Sequence, residues 1–186
     1  MDILNNVEAS ILLFFQQLRN PVTDPIMAFF SIIGNTGWIW IATALVLLIF
    51  KKTRRHGIQL AFCLLASLLI NNIILKNLVA RPRPFTEIEG LTVMLSGKLA
   101  DAGSLSFPSG HAGSSFAAAY SLSRSFGKKF KWVWAVAALV ALSRPYIGVH
   151  YLSDVICGSL FGVAGAVFAC MLWRKLIPAA EKIRLI

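Results

Sequence analysis

Between Ile58 and Val79 the chain runs through 22 residues with a single charge, Lys76, near the end. At about 1.5 Å per residue, a helix of that length crosses the roughly 30 Å hydrocarbon core of a bilayer. A second apolar run, Val149 to Trp173, carries charge only near its start, at His150 and Asp154. Backbone polar groups inside hydrocarbon must be satisfied within the segment, so such runs fold as helices. Hydrophobic residues make up 57% of the chain and charged residues 14%, too few charges to cover a soluble surface of this size. The expectation is an all-α fold: one polytopic membrane helix bundle over residues 1–186, with five or six transmembrane helices.

The remaining segments are shorter. Ile3 to Leu18 mixes apolar residues with Asn5, Asn6, Glu8, Gln16 and Gln17, and reads as an amphipathic helix within residues 1–20. Asn20-Pro21 and Asp24-Pro25 interrupt it. Ile26 to Ile33 is too short to span, and Gly34-Asn35-Thr36-Gly37 is either a turn or a weak point in a tilted helix. Trp38 to Phe50 begins with Trp38 and Trp40 in the position of interfacial anchors. Ala112 to Ser123 is rich in small residues, which suits a helix inside a bundle, and Trp132 to Leu142 is a further apolar run.

Charge orients these segments. The formal net charge is +10, gathered in Lys51, Lys52, Arg54 and Arg55; in Arg124, Lys128, Lys129 and Lys131; and in Arg174, Lys175, Lys182 and Arg184. A nucleic-acid binder would set its bases as a stripe on a soluble face, whereas these fall between apolar runs. If the clearer segments each cross once, the three blocks share one side, which the positive-inside rule makes cytoplasmic. A cell-membrane location follows, with residues 80–110 as an extracytoplasmic loop carrying Glu87, Glu89, Lys98 and Asp101. No obligate protein partner is evident. Cys63, Cys157 and Cys170 lie in apolar runs without CxxC spacing, so free buried thiols are expected. The start has no basic segment followed by an apolar core and a small-residue cleavage site, so a cleaved signal peptide is not expected.

Three short clusters then fall on the side opposite the bases. Lys76 precedes Arg81-Pro82-Arg83-Pro84, cations that alone suit snorkelling or lipid headgroups. Pro108-Ser109-Gly110-His111 opens a helix, with Ser109 as N-cap and free N–H groups for an anion; alone it reads equally as a plain capped helix. Ser143-Arg144 is followed by His150 and Asp154, whose i, i+4 spacing puts them on one helix face. That pair fits a histidine oriented by a carboxylate, a satisfied structural pair, or part of a metal site that His111 would join. Together the clusters hold the parts for phosphoryl transfer, which is mostly positioning and neutralisation of phosphate charge. Gly158 and Gly162 form a GxxxG followed by Gly165, read as close packing within the bundle rather than a dimer face.

Lys76-x6-Arg83-Pro84, Pro108-Ser109-Gly110-His111 and Ser143-Arg144-x5-His150-x3-Asp154 resemble, in order and spacing, the three-part signature of the type 2 phosphatidic acid phosphatase (PAP2) superfamily. The resemblance implies a metal-independent phosphatase with no cofactor, acting on a membrane lipid phosphate. It implies His150 as nucleophile and phosphohistidine, Asp154 orienting it, and His111 protonating the leaving oxygen. Lys76, Arg83, Arg144, Ser109 and the Gly110 N–H would bind phosphate oxygens. Family spacing alone selects Arg83 over Arg81. Pro145, where the family usually has a branched aliphatic residue, is expected to end the helix before it. Within the family the chain resembles bacterial undecaprenyl-diphosphate phosphatases, with phosphatidylglycerophosphate, phosphatidate and lipid A phosphatases as alternatives. A non-catalytic lipid-phosphate binder or transporter is the alternative of another class. No nucleic acid is expected as a partner.

Overall fold

The computed structural model describes residues 3–95 and 104–182, and its described elements are all helical. Lys98 and Asp101 of the long connection lie outside the described residues. Helix α1 is Ile3–Gln17, α2 Thr23–Ile33 and α3 Trp38–Ile49. Helix α4, Arg54–Ser67, continues through a π-helical stretch, Leu68–Leu75, into α5, Lys76–Val79. A short α6, Pro84–Glu87, is followed by α7, Gly110–Phe126, α8, Trp132–Tyr146, and α9, Leu152–Lys182.

Local chemistry explains the boundaries. Asn20 Oδ1 accepts from the N–H groups of Val22 (2.9 Å) and Thr23 (3.0 Å), which turns the chain out of α1. Pro25 falls in the first turn of α2, where no intrahelical N–H bond is lost. The Gly34–Gly37 turn separates α2 from α3 with a 47° bend, and Thr36 takes a positive φ of 52° there. Ala80, at φ 49°, ends the α4–α5 run in the left-handed conformation.

The described residues pass five times between two ends of the bundle: α2 with α3, α4 with α5, α7, α8 and α9. By length and composition, Arg54–Glu87 and Leu152–Lys175 are apolar enough to cross a bilayer, with mean hydropathies of 2.1 and 2.3, and the bent pair α2–α3 makes a third. Large apolar side chains such as Leu45, Ile49, Ile74, Leu160 and Phe168 face outward, as a lipid-facing surface requires.

Helix α7 is the axis. Ala112, Ala117, Ala118 and Ala119 are fully buried, so neighbouring backbones approach closely. A Cβ on Gly158 would come within 2.5 Å of the Ser109 carbonyl oxygen, and one on Gly162 within 2.2 Å of the Gly113 carbonyl oxygen. The GxxxG is therefore used inside the bundle, against α7. Cys63 and Cys170 are buried free thiols with sulfurs 3.6 Å apart, whereas Cys157 is only half-buried.

One end carries the bases. His56 and Phe126 rings lie 4.8 Å apart, and Phe126 stacks on Phe130 at 4.6 Å, so the start of α4 and the end of α7 meet. Trp173 packs near Phe62, which brings Arg174 and Lys175 to the same end. At the other end α1 lies over the connections: Leu12 packs with Leu91 and Tyr151, and Phe15 lies against the cluster of Tyr146, Ile147 and Val149.

Candidate active site

The end of the bundle opposite the bases gathers the three clusters around one cavity of about 530 Å³. Lys76, Arg83, Gly110, His111, Arg144 and His150 all line it. Each is delivered by a different local device. The π-helical stretch shifts the helix register just before Lys76 and turns Asn72 into the same cavity. Arg83 sits in the extended residue before α6, fixed by the prolines on either side. Gly110 and His111 open α7.

Arg144 lies in the last turn of α8. The helix continues through Pro145 to Tyr146, so Pro145 does not end it in advance, and Arg144 keeps its helical position. The Arg144 side chain is 1% exposed and donates from Nη1 to Ser31 Oγ, which ties α8 to α2.

His150 and Asp154 meet differently from the sequence expectation. His150 precedes α9, in the Ile147–Tyr151 connection, and Asp154 lies in the first turn of α9. They share no helix face, yet His150 Nδ1 is 3.6 Å from Asp154 Oδ2. The same carboxylate oxygen accepts from Ser106 Oγ (2.5 Å) and the Tyr151 N–H (2.9 Å). Arg83 Nη1 lies 2.8 Å from His150 Nε2 and also donates to the Val149 carbonyl at 2.7 Å. A guanidinium has only donors, so Nε2 accepts from Arg83 with its lone pair and the ring proton sits on Nδ1. Burial, then the cations Arg83, Arg144 and Lys76, hold His150 well below the ordinary histidine pKa of 6.5.

Ser109 is an N-cap by position but not by side chain. Its carbonyl accepts the Gly113 N–H and its N–H donates to the Asp154 carbonyl, both at 3.0 Å. Its hydroxyl makes no cap bond. Ser109 Oγ, His111 Nε2, Arg144 Nε and Asn72 Oδ1 are buried and have no hydrogen-bond partner among the described residues. Three of these atoms can donate, and two of the three, on His111 and Arg144, belong to residues that line the cavity; buried donors without acceptors are costly, which fits an anion there.

Arg81 is separated from Arg83 by geometry. It turns away from the cavity to Glu8 Oε2 (2.5 Å) and Asp154 Oδ1 (2.9 Å). Glu8, Ser31, Asn72 and Ser106 were not read from sequence as site residues. A signal existed for Glu8: it stands one turn before the fully buried Leu12, a carboxylate on the inward stripe of α1. His56 lies at the far end. Among the described residues, no three His, Cys, Asp or Glu side chains gather to hold a metal ion.

The PAP2 superfamily model matches residues 56–178, which contain every motif residue. The chain belongs to the PAP2 superfamily. It is 35% identical over 161 residues to an undecaprenyl-diphosphatase of Sulfolobus acidocaldarius, covering 84% of this chain and 73% of that protein. It is 30% identical over 172 residues to a lipid A 4'-phosphatase of Porphyromonas gingivalis, covering 88% and 71%. The crystal structure of Aquifex aeolicus LpxE superposes with a TM-score of 0.75 at 24% identity, over 87% of this chain and 93% of that one, and shares the fold. This PAP2 protein is a membrane lipid phosphatase, and thus a hydrolase.

Proposed function

We propose that this phosphatase hydrolyses undecaprenyl diphosphate at the extracytoplasmic surface of the cell membrane, without a metal and through a phosphohistidine. The observation that carries the lipid reading is the shape of the cavity. From the cations it continues between α3 and α4, along Ile41, Leu45, Leu48, Leu64, Leu65 and Leu68. A diphosphate bound at Lys76, Arg83 and Arg144 would leave its chain in that apolar trough. The 35% identical diphosphatase supports the substrate. Lipid A is the second reading, supported by the two lipid A 4'-phosphatases at 30% and 28% identity.

In this mechanism Lys76, Arg83, Arg144, Ser109 Oγ and the Gly110 N–H hold the phosphate oxygens. As Arg83 Nη1 passes from His150 Nε2 to a phosphate oxygen, the freed Nε2 lone pair attacks phosphorus, and the bond to the leaving oxygen breaks. His111 gives that oxygen its proton. Asp154 faces the Nδ1–H and stabilises the charge the ring acquires. Water then attacks phosphorus and gives a proton back to His111; the bond from phosphorus to Nε2 breaks, which releases phosphate and restores both histidines. Three fixed cations take the place of a metal clamp. We read all five passes as membrane crossings, with α1 lying in the outer interface and the basic end in the cytoplasm.

The test is phosphate release by the purified protein from undecaprenyl diphosphate, phosphatidylglycerophosphate, phosphatidate and lipid A, in EDTA, with and without vanadate. Undecaprenyl diphosphate is expected to be cleaved fastest, and vanadate to inhibit as a mimic of the five-coordinate transition state. Preference for lipid A would move the assignment to the second reading. Loss on chelation, restored by zinc or magnesium, would overturn the metal-free mechanism. Binding without release from any lipid would favour a binder or transporter.

A further inference from the structure

Behind the cavity, four residues from four parts of the chain form a line: Glu8 on α1, Arg81 after α5, Asp154 on α9, and His150. Glu8 Oε2 accepts from Arg81 Nη2 at 2.5 Å, and Arg81 Nη1 donates to Asp154 Oδ1 (2.9 Å) and Ser153 Oγ (2.8 Å). The guanidinium lies 3.6 Å from the Tyr151 ring centroid. Glu8 Oε1 also accepts the Ser153 N–H at 3.1 Å, in the first turn of α9. Glu8 is 4% exposed and Asp154 fully buried. Two carboxylates so withdrawn from water are costly, and their burial is matched only while the shared guanidinium stays between them.

We propose that Glu8 and Arg81 are positioning residues for phosphoryl transfer, acting on His150 through Asp154. This rests on the reading above in which His150 attacks and Asp154 orients it. Arg81 occupies Asp154 Oδ1 and leaves Oδ2 for Ser106, the Tyr151 N–H and His150 Nδ1. When Nε2 bonds to phosphorus, the ring becomes cationic and Oδ2 is its counter-charge. Glu8 balances Arg81 from the far side, so Arg81 does not draw the carboxylate wholly to itself. The amphipathic helix α1 is thereby part of the catalytic apparatus.

The experiment compares the purified full chain with Glu8→Gln, Asp154→Asn and the double variant, reading kcat, KM and the vanadate inhibition constant. Glu8→Gln is expected to lower kcat roughly 10–100-fold, as loss of an outer partner does. KM and vanadate inhibition should stay within about twofold, because the phosphate cations are untouched. The double variant should be no slower than Asp154→Asn alone, since Glu8 acts through Asp154. Wild-type kcat in Glu8→Gln, a matching loss of vanadate binding, or additive losses in the double variant would each overturn the proposal. Wild-type turnover in Asp154→Asn would instead remove Asp154 from the mechanism above, and this inference with it.

Discussion

Arg83 Nη1 sits 2.8 Å from His150 Nε2, so a guanidinium that lines the cavity also fixes which nitrogen of the histidine bears the lone pair. The contact has a consequence for pH. Burial first, and Arg83 next, hold the His150 pKa well below 6.5. The neutral ring, which the proposed mechanism uses as the nucleophile, therefore persists as pH falls through 6.5, and the acid limb of kcat/KM is expected below that value. Removing the cation stabilises the protonated ring, so Arg83→Gln should move the limb upward. A limb at or above pH 6.5 in the wild type, or no upward movement in the variant, would contradict the assignment.

His111 and His150 are expected to part company on different substrates. A diphosphate expels a phosphate monoester whose last proton has a pKa of about 6, whereas a phosphate monoester expels a far more basic alkoxide. His111→Ala should slow monoester cleavage more than diphosphate cleavage, within the roughly 10²–10⁴-fold that general acids contribute. His150→Ala should abolish both. Rates on both substrates, with chemistry limiting, decide the matter; equal losses in His111→Ala would mean that His111 only binds phosphate.

Gly162→Ala tests the packing of α9 on α7. A Cβ there would meet the Gly113 carbonyl oxygen at 2.2 Å, and backbone does not yield as a side-chain end does. Overpacking of this kind costs about 1–3 kcal/mol, so the melting temperature in detergent should fall. Gly158→Ala presses on Ser109 instead and should lower turnover as well.

Orientation is open to direct labelling. Glu89 and Lys129 are both exposed, at opposite ends of the bundle. With Cys157 replaced by serine, Glu89→Cys in intact cells should react with an impermeant thiol reagent, and Lys129→Cys only after permeabilisation. The reverse pattern would invert the proposed topology.

Much of the fold was legible in the sequence because a bilayer imposes a strict rule: long apolar runs must be helices. Ile58–Val79 and the run ending at Trp173 appear as helices, and the GxxxG at Gly158 and Gly162 packs within the bundle as its small residues suggest. The motif spacing likewise named Lys76, Arg83, His111, Arg144 and His150, which the fold draws to one cavity. What the sequence could not decide was which polar groups face each other across the bundle. Residue chemistry left Arg81-Pro82 and Arg83-Pro84 alike, and the family's spacing alone chose Arg83. Only the fold turns Arg83 to His150 and Arg81 to Glu8, a residue 73 positions away. The i, i+4 spacing suggested one helix face for His150 and Asp154, yet α9 begins between them and the contact is made from a loop. Ser31 and Ser106 carry no sequence signal, since a serine becomes a partner for Arg144 or Asp154 only through burial beside it. Local patterning fixes helices and names reactive groups, whereas the pairing of buried charges depends on contacts between distant segments.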